Sequence, residues 1–130
     1  YGVTGGTDVT GFGLLGHGGE MARAGRVCLR IDSARIPALP GALDYAAMGL
    51  VPAGTWTNQN FCSKSVKVAA EVTPELLSLL ADAQTSAGLL LAVPPERVGD
   101  LCALLRSLDA PQNAAIGGVL DGPAGTMEVV

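Results

Sequence analysis

The sequence predicts a single α+β domain over residues 1–130, a mixed β-sheet with helices packed on it. Three observations carry that expectation. Hydrophobic residues make up 48% of the chain and charged residues 15%, the composition of a globular domain long enough to enclose one core. Helix-like and strand-like apolar patterns alternate along it. Several connections between them are too short for the crossovers of a fully parallel sheet, which leaves a mixed, loosely ferredoxin-like layer of helices on a sheet.

Residues 1–6 read as a flexible lead-in. A helix over about 13–24 fits Leu14, Leu15, Met21 and Ala22 as one apolar stripe, with Gly25 as its stop. Gly18 and Gly19 lie inside it and weaken it by roughly 1 kcal/mol each relative to Ala. Residues 27–31 alternate as a strand, ended by Asp32 and Ser33. Pro37 and Pro40 lead into a helix over about 41–48, closed by Gly49. The polar stretch 51–65, with Pro52, Gly54, Asn58 and Asn60, reads as a long loop, and 66–68 as a short strand.

Thr73, Pro74 and Glu75 form a helix start with a capping hydroxyl, a proline in the first turn and an acid beside the helix N-terminus. That helix runs to about Leu80, and residues 82–88 then form a polar loop. The continuous apolar run 89–93 reads as a buried strand. Pro94 and Pro95 open a last helix to about Leu108, with Val98, Leu101, Cys102, Leu104, Leu105 and Leu108 as its core face. Residues 114–120 and 127–130 read as closing strands.

A net charge of −4, with eight scattered basic residues, excludes a nucleic-acid surface, because phosphate neutralisation takes clustered Lys and Arg. Cys28, Cys62 and Cys102 form no metal-binding spacing and read as reduced thiols of a cytoplasmic protein. The longest apolar run is too short to span a bilayer, so no membrane partner is expected. The chain opens on Tyr1, and a longer polypeptide with catalytic residues upstream is expected.

The chemistry concentrates in Thr7-Asp8-Val9-Thr10-Gly11-Phe12-Gly13-Leu14-Leu15-Gly16-His17. A β-prone run carries a carboxylate, breaks into a glycine loop and opens a helix. Such a junction turns backbone N–H groups towards an anion while the carboxylate holds a cation, which points to phosphate and magnesium. Asp8 reads as a magnesium ligand or as a cap on the following turn. His17 reads as a packed histidine or as a base. Gly11, Gly13 and Gly16 also match G-x-G-x-x-G, with Asp32 where a ribose-binding acid would follow. A dinucleotide site would, however, place a buried charge beside the pyrophosphate. Gln84, Thr85 and Ser86 lie on a loop where hydroxyls meet a ligand or simply close a turn.

Four ordered motifs, 7–17, Leu39-Pro40-Gly41-Ala42, 49–55 and 82–93, resemble selenophosphate synthetase, also called selenide, water dikinase, across essentially the whole chain. The match is to that enzyme's C-terminal domain, and the implied fold is the α+β C-terminal domain of the aminoimidazole ribonucleotide synthetase type. The resemblance implies an enzyme that converts ATP, selenide and water to selenophosphate, AMP and orthophosphate. It implies magnesium at Asp8 and most ATP contacts in an N-terminal domain; Thr7, Thr10, Gly11, Gly13, Gln84, Thr85 and Ser86 are the candidate nucleotide contacts of this chain. The reactive Cys or selenocysteine and the essential Lys belong to an N-terminal domain, the expected partner of this one, in a homodimer. Alternatives are a domain of the aminoimidazole ribonucleotide synthetase or thiamine-phosphate kinase type, or a non-catalytic nucleotide-binding module. The chain departs from the family's D-P-Q-T-S-G-G at Ala83 and Ala87, and has Gly18-Gly19 where Leu is preferred after the histidine.

Overall fold

The computed structural model describes residues 1–86, 88–110 and 112–130. Its elements run β1 (Gly5–Asp8), α1 (Gly13–Gly25), β2 (Cys28–Ile31), α2 (Ala42–Ala47), α3 (Ala53–Cys62), β3 (Val66–Val68), α4 (Pro74–Leu80), β4 (Leu89–Ala92), α5 (Pro95–Ser107), β5 (Gly117–Leu120) and β6 (Thr126–Val129). The fold is α+β, as the composition and patterning predict.

The core grows from two alternating strands. Parallel pairing of β2 with β6 sets Leu29 opposite Met127 and Ile31 opposite Val129, all four buried. The period-2 pleat puts Arg30 and Glu128 on the other face, again opposite each other. On the apolar face lies α1, whose Leu15 and Ala22 join those four side chains, together with Cys62, Leu80 and Ala81, in one core. Each large apolar side chain so buried stabilises the fold by about 1.5–3 kcal/mol. The sheet order is β3-β6-β2-β5, with β5 antiparallel and the other three strands parallel, and β1 pairs with β4 in a separate antiparallel ribbon. Two sheets thus replace the single ferredoxin-like layer.

Two glycines let α1 sit this close to its neighbours. Gly13 has φ +67°, and a Cβ there would lie 2.7 Å from the Leu80 and Ala81 backbone. At Gly18 a Cβ would lie 2.9 Å from Met127 Cε, so the methionine fills the room a leucine would need.

Several expectations need correction. The lead-in is ordered from Gly5, because Thr4 N–H and then β1 bond to β4. Arg26, not Gly25, takes the left-handed conformation that ends α1. The expected loop at 51–65 is largely helix α3: its inward face, Thr55, Asn58 and Cys62, is mostly polar and is satisfied by hydrogen bonds rather than apolar contact. β4 is not buried; Leu89 is 73% exposed, since the ribbon leaves one face open. α5 forms as expected but buries none of its residues, Cys102 included, and makes no extended packing with another element among the described residues. Ala87 lies outside the described residues.

Candidate functional site

The site is built where three segments converge: the loop after β1, the end of α4 with the turn beyond it, and the inner face of α3. β1 and β4 align Asp8 with Leu89, and Val9 N–H donates to the Gly88 carbonyl at 2.9 Å. The chain then turns through Thr10 and Gly11, where Gly13 N–H donates to the Thr10 carbonyl at 2.8 Å, and enters α1. Among the described residues no side chain caps the N-terminus of α1. Its first-turn N–H groups therefore carry the positive end of the helix without a side-chain acceptor.

α3 fastens this loop from below. Asn58, 7% exposed, donates through Nδ2 to the carbonyls of Gly11 and Ala81, both at 2.9 Å. Thr55, fully buried, accepts from Ala83 N–H at 3.2 Å and donates to Asp82 Oδ1 at 3.4 Å. That same Asp82 oxygen accepts from Gln84 N–H at 2.8 Å. One amide and one hydroxyl thus tie the loop after β1 to the turn after α4. Sequence reasoning missed both roles; the usable signal was the spacing of Thr55, Asn58 and Cys62 on one helical face.

Asp8, the expected magnesium ligand, is exposed at the end of β1, and its carboxylate makes no hydrogen bond or ion pair among the described residues. The capping alternative is therefore not realised. Thr7 is half-buried and its hydroxyl donates to the Asp8 carbonyl at 3.1 Å. Thr10 is exposed, with Oγ1 3.0 Å from His17 Nε2. Gly11 lies against the Ala83 carbonyl, and Gly13 is buried where α1 starts.

Gln84, Thr85 and Ser86 stand on the neighbouring turn, which Asp82 closes by accepting from the backbone N–H groups of Gln84 and Thr85. No hydrogen bond joins their side chains to the β1 loop among the described residues. The structure thus brings Asp8, Thr10, Gly11 and Gly13 onto one junction and sets the 84–86 turn beside it.

Other chemistry is weaker. Burial pushes the Cys62 thiol up, against the opposing charge of Arg23, so the thiolate is disfavoured. Among the described residues no three His, Cys, Asp or Glu side chains cluster to enclose a metal. Two open concavities, of about 290 and 370 Å³, lie under α2 and α4 and along α3 and β3, away from Asp8. The dinucleotide reading fails on topology, because β1 pairs antiparallel and Asp32 is spent capping a short turn through Ala34 N–H. No helix of the described residues is long and apolar enough to cross a membrane.

Fold and junction together define a mixed-sheet α+β domain in which a glycine loop opens a helix beside an exposed carboxylate. The chain belongs to the family described as AIR synthase related protein, C-terminal domain, which matches residues 1–130. It is similar to proteins named selenide, water dikinase. That of Nitratidesulfovibrio vulgaris is 50% identical over 110 residues, 85% of this chain and 31% of the relative. Those of Porphyromonas gingivalis and Clostridioides difficile are 47% and 40% identical over 91% and 88% of this chain, each covering 33% of the relative. The chain thus spans about a third of the length of these curated relatives.

Proposed function

We propose that this chain is the C-terminal domain of an enzyme that makes selenophosphate, AMP and orthophosphate from ATP, selenide and water. Its part is to supply Asp8 as one magnesium ligand where the ATP phosphates meet the seam with an N-terminal domain. The observation that carries this is the exposed Asp8 carboxylate, without a partner among the described residues, beside the start of α1, which none of their side chains caps. A single carboxylate suits magnesium, which takes one or two protein carboxylates and completes its shell with water and phosphate oxygens. A full set of ligands is not needed from one domain. The rest of the set, the reactive Cys or selenocysteine and the Lys belong to the N-terminal domain, so these 130 residues alone are inactive.

When bound, magnesium neutralises charge on phosphoryl oxygens during transfer. The chain's own residues hold and orient. The first-turn N–H groups of α1 face phosphate, Gly11 and Gly13 permit close backbone approach, and the clamp from Asn58 and Thr55 fixes the junction against the 84–86 turn. Thr7, Thr10, Gln84, Thr85 and Ser86 are the polar groups within this proposed seam. The setting is a cytoplasmic homodimer.

Phosphorus NMR of the full-length protein with Mg-ATP and selenide tests the reading. Selenophosphate, AMP and orthophosphate are expected in the wild type. Asp8→Asn is expected to lower the rate at least ~100-fold without changing the melting temperature. ATP left intact in the wild type, or full activity in the variant, would sink the assignment.

A further inference from the structure

We infer that His17 is a positioning residue that turns the Thr10 hydroxyl inward as a donor, so that Thr10 meets the bound ligand only as an acceptor. This rests on the magnesium–nucleotide reading above and sharpens it: Thr10 then faces the water shell of the cation, and not the phosphate oxygens.

His17 is 8% exposed, whereas both of its polar partners, Thr10 and Glu20, are exposed. Nε2 lies 3.0 Å from Thr10 Oγ1, and Nδ1 lies 3.5 Å from Glu20 Oε2, one helical turn on. The Phe12 ring covers the imidazole, centroids 5.6 Å apart and tilted by 59°. Flanked in this way, the imidazole is held in one orientation.

Donor and acceptor roles follow from the partners. An ionised carboxylate only accepts, so Glu20 Oε2 at 3.5 Å favours the proton on the nitrogen that faces it. A neutral imidazole has one N–H, which leaves Nε2 with a lone pair. Thr10 Oγ1 can satisfy that lone pair only by donating its hydrogen. A hydroxyl so committed has lone pairs left to point outward. Lone pairs repel phosphoryl oxygens but accept hydrogen bonds from water polarised by a divalent cation.

Two readouts in the full-length protein test this. Long-range proton–nitrogen correlation, with His17 assigned by difference against His17→Gln, is expected to show the proton on Nδ1 and none on Nε2. A proton on Nε2 overturns the inference whatever the activity.

The second readout is the split between magnesium and ATP dependence. Thr10→Val and His17→Leu are each expected to raise the magnesium concentration for half-maximal rate by about tenfold, the usual effect of losing an outer-shell partner. KM for ATP at saturating magnesium should stay within about twofold. The double variant should be no worse than either single, and His17→Gln, whose amide oxygen can accept in place of Nε2, should restore the magnesium dependence. A raised KM for ATP with unchanged magnesium dependence, additive losses, or no rescue by His17→Gln overturns the inference alone. A wild type that turns over no ATP with selenide overturns the functional reading beneath it.

Discussion

Helices α1 and α5 are each 13 residues long, and they invert what their sequences promise. α5 has the better sequence: proline in the first turn, Glu96 near its start, Arg106 near its end and leucines at helical spacing. α1 carries Gly16, Gly18 and Gly19 in its interior and has no cap. Yet α1 buries seven residues and α5 none. Apolar periodicity states which face can be buried; whether it is buried depends on what else arrives there. The small residues of α1 let β6, α3 and α4 approach closely, and that packing outweighs the propensity lost to glycine.

The sharpest test applies one chemistry to both helices. Leu15→Ala in α1 is expected to cost about 3 kcal/mol in urea unfolding, because Leu15 is 1% exposed within the core. Next in size, Asn58→Ala is expected to cost about 2 kcal/mol, since it leaves the Gly11 and Ala81 carbonyls without their donor. A loss near zero there would mean that apolar packing alone holds the start of α1.

Gly19→Ala runs the other way. Its Cβ would meet Arg23 Nη1 at 3.7 Å and Met127 Sδ at 4.0 Å, ordinary contacts, so a gain of about 0.5–1 kcal/mol is expected. A loss would show that even this flank of α1 is filled. The smallest effect belongs to α5: Leu104→Ala, at a position 38% exposed, should change stability by no more than about 0.5 kcal/mol. A cost like that of Leu15 would erase the contrast between the two helices.

Legibility follows the same line. The start of α4 was readable because its signals are local: Thr73 Oγ1 accepts from Leu76 N–H as the capping pattern requires. The bounds of α2 were readable from Gly41 and Gly49, both at positive φ. α3 was not, because its inward residues are Thr55, Asn58 and Cys62, and a search for apolar stripes passes over a face held by hydrogen bonds. β4 and α5 were misread in the opposite sense, as apolar runs whose partner surface is not encoded within the run. At the site, the loop at 7–13 was legible as a local pattern of carboxylate, glycines and helix start. The Asn58 clamp and the Thr10–His17 bond were not, because each depends on how separated segments meet.

The parallel pairing of β6 with both β2 and β3 also sets an order of assembly. β6 lies between two strands that precede it by 98 and 61 residues in sequence, as Leu29↔Met127 and Val66↔Met127 show. During synthesis both strands wait, with open edges and α1 lacking its floor, until residues 126–129 clear the ribosome. The nascent domain therefore offers chaperones an unfinished sheet until β6 emerges, and its sheet closes late.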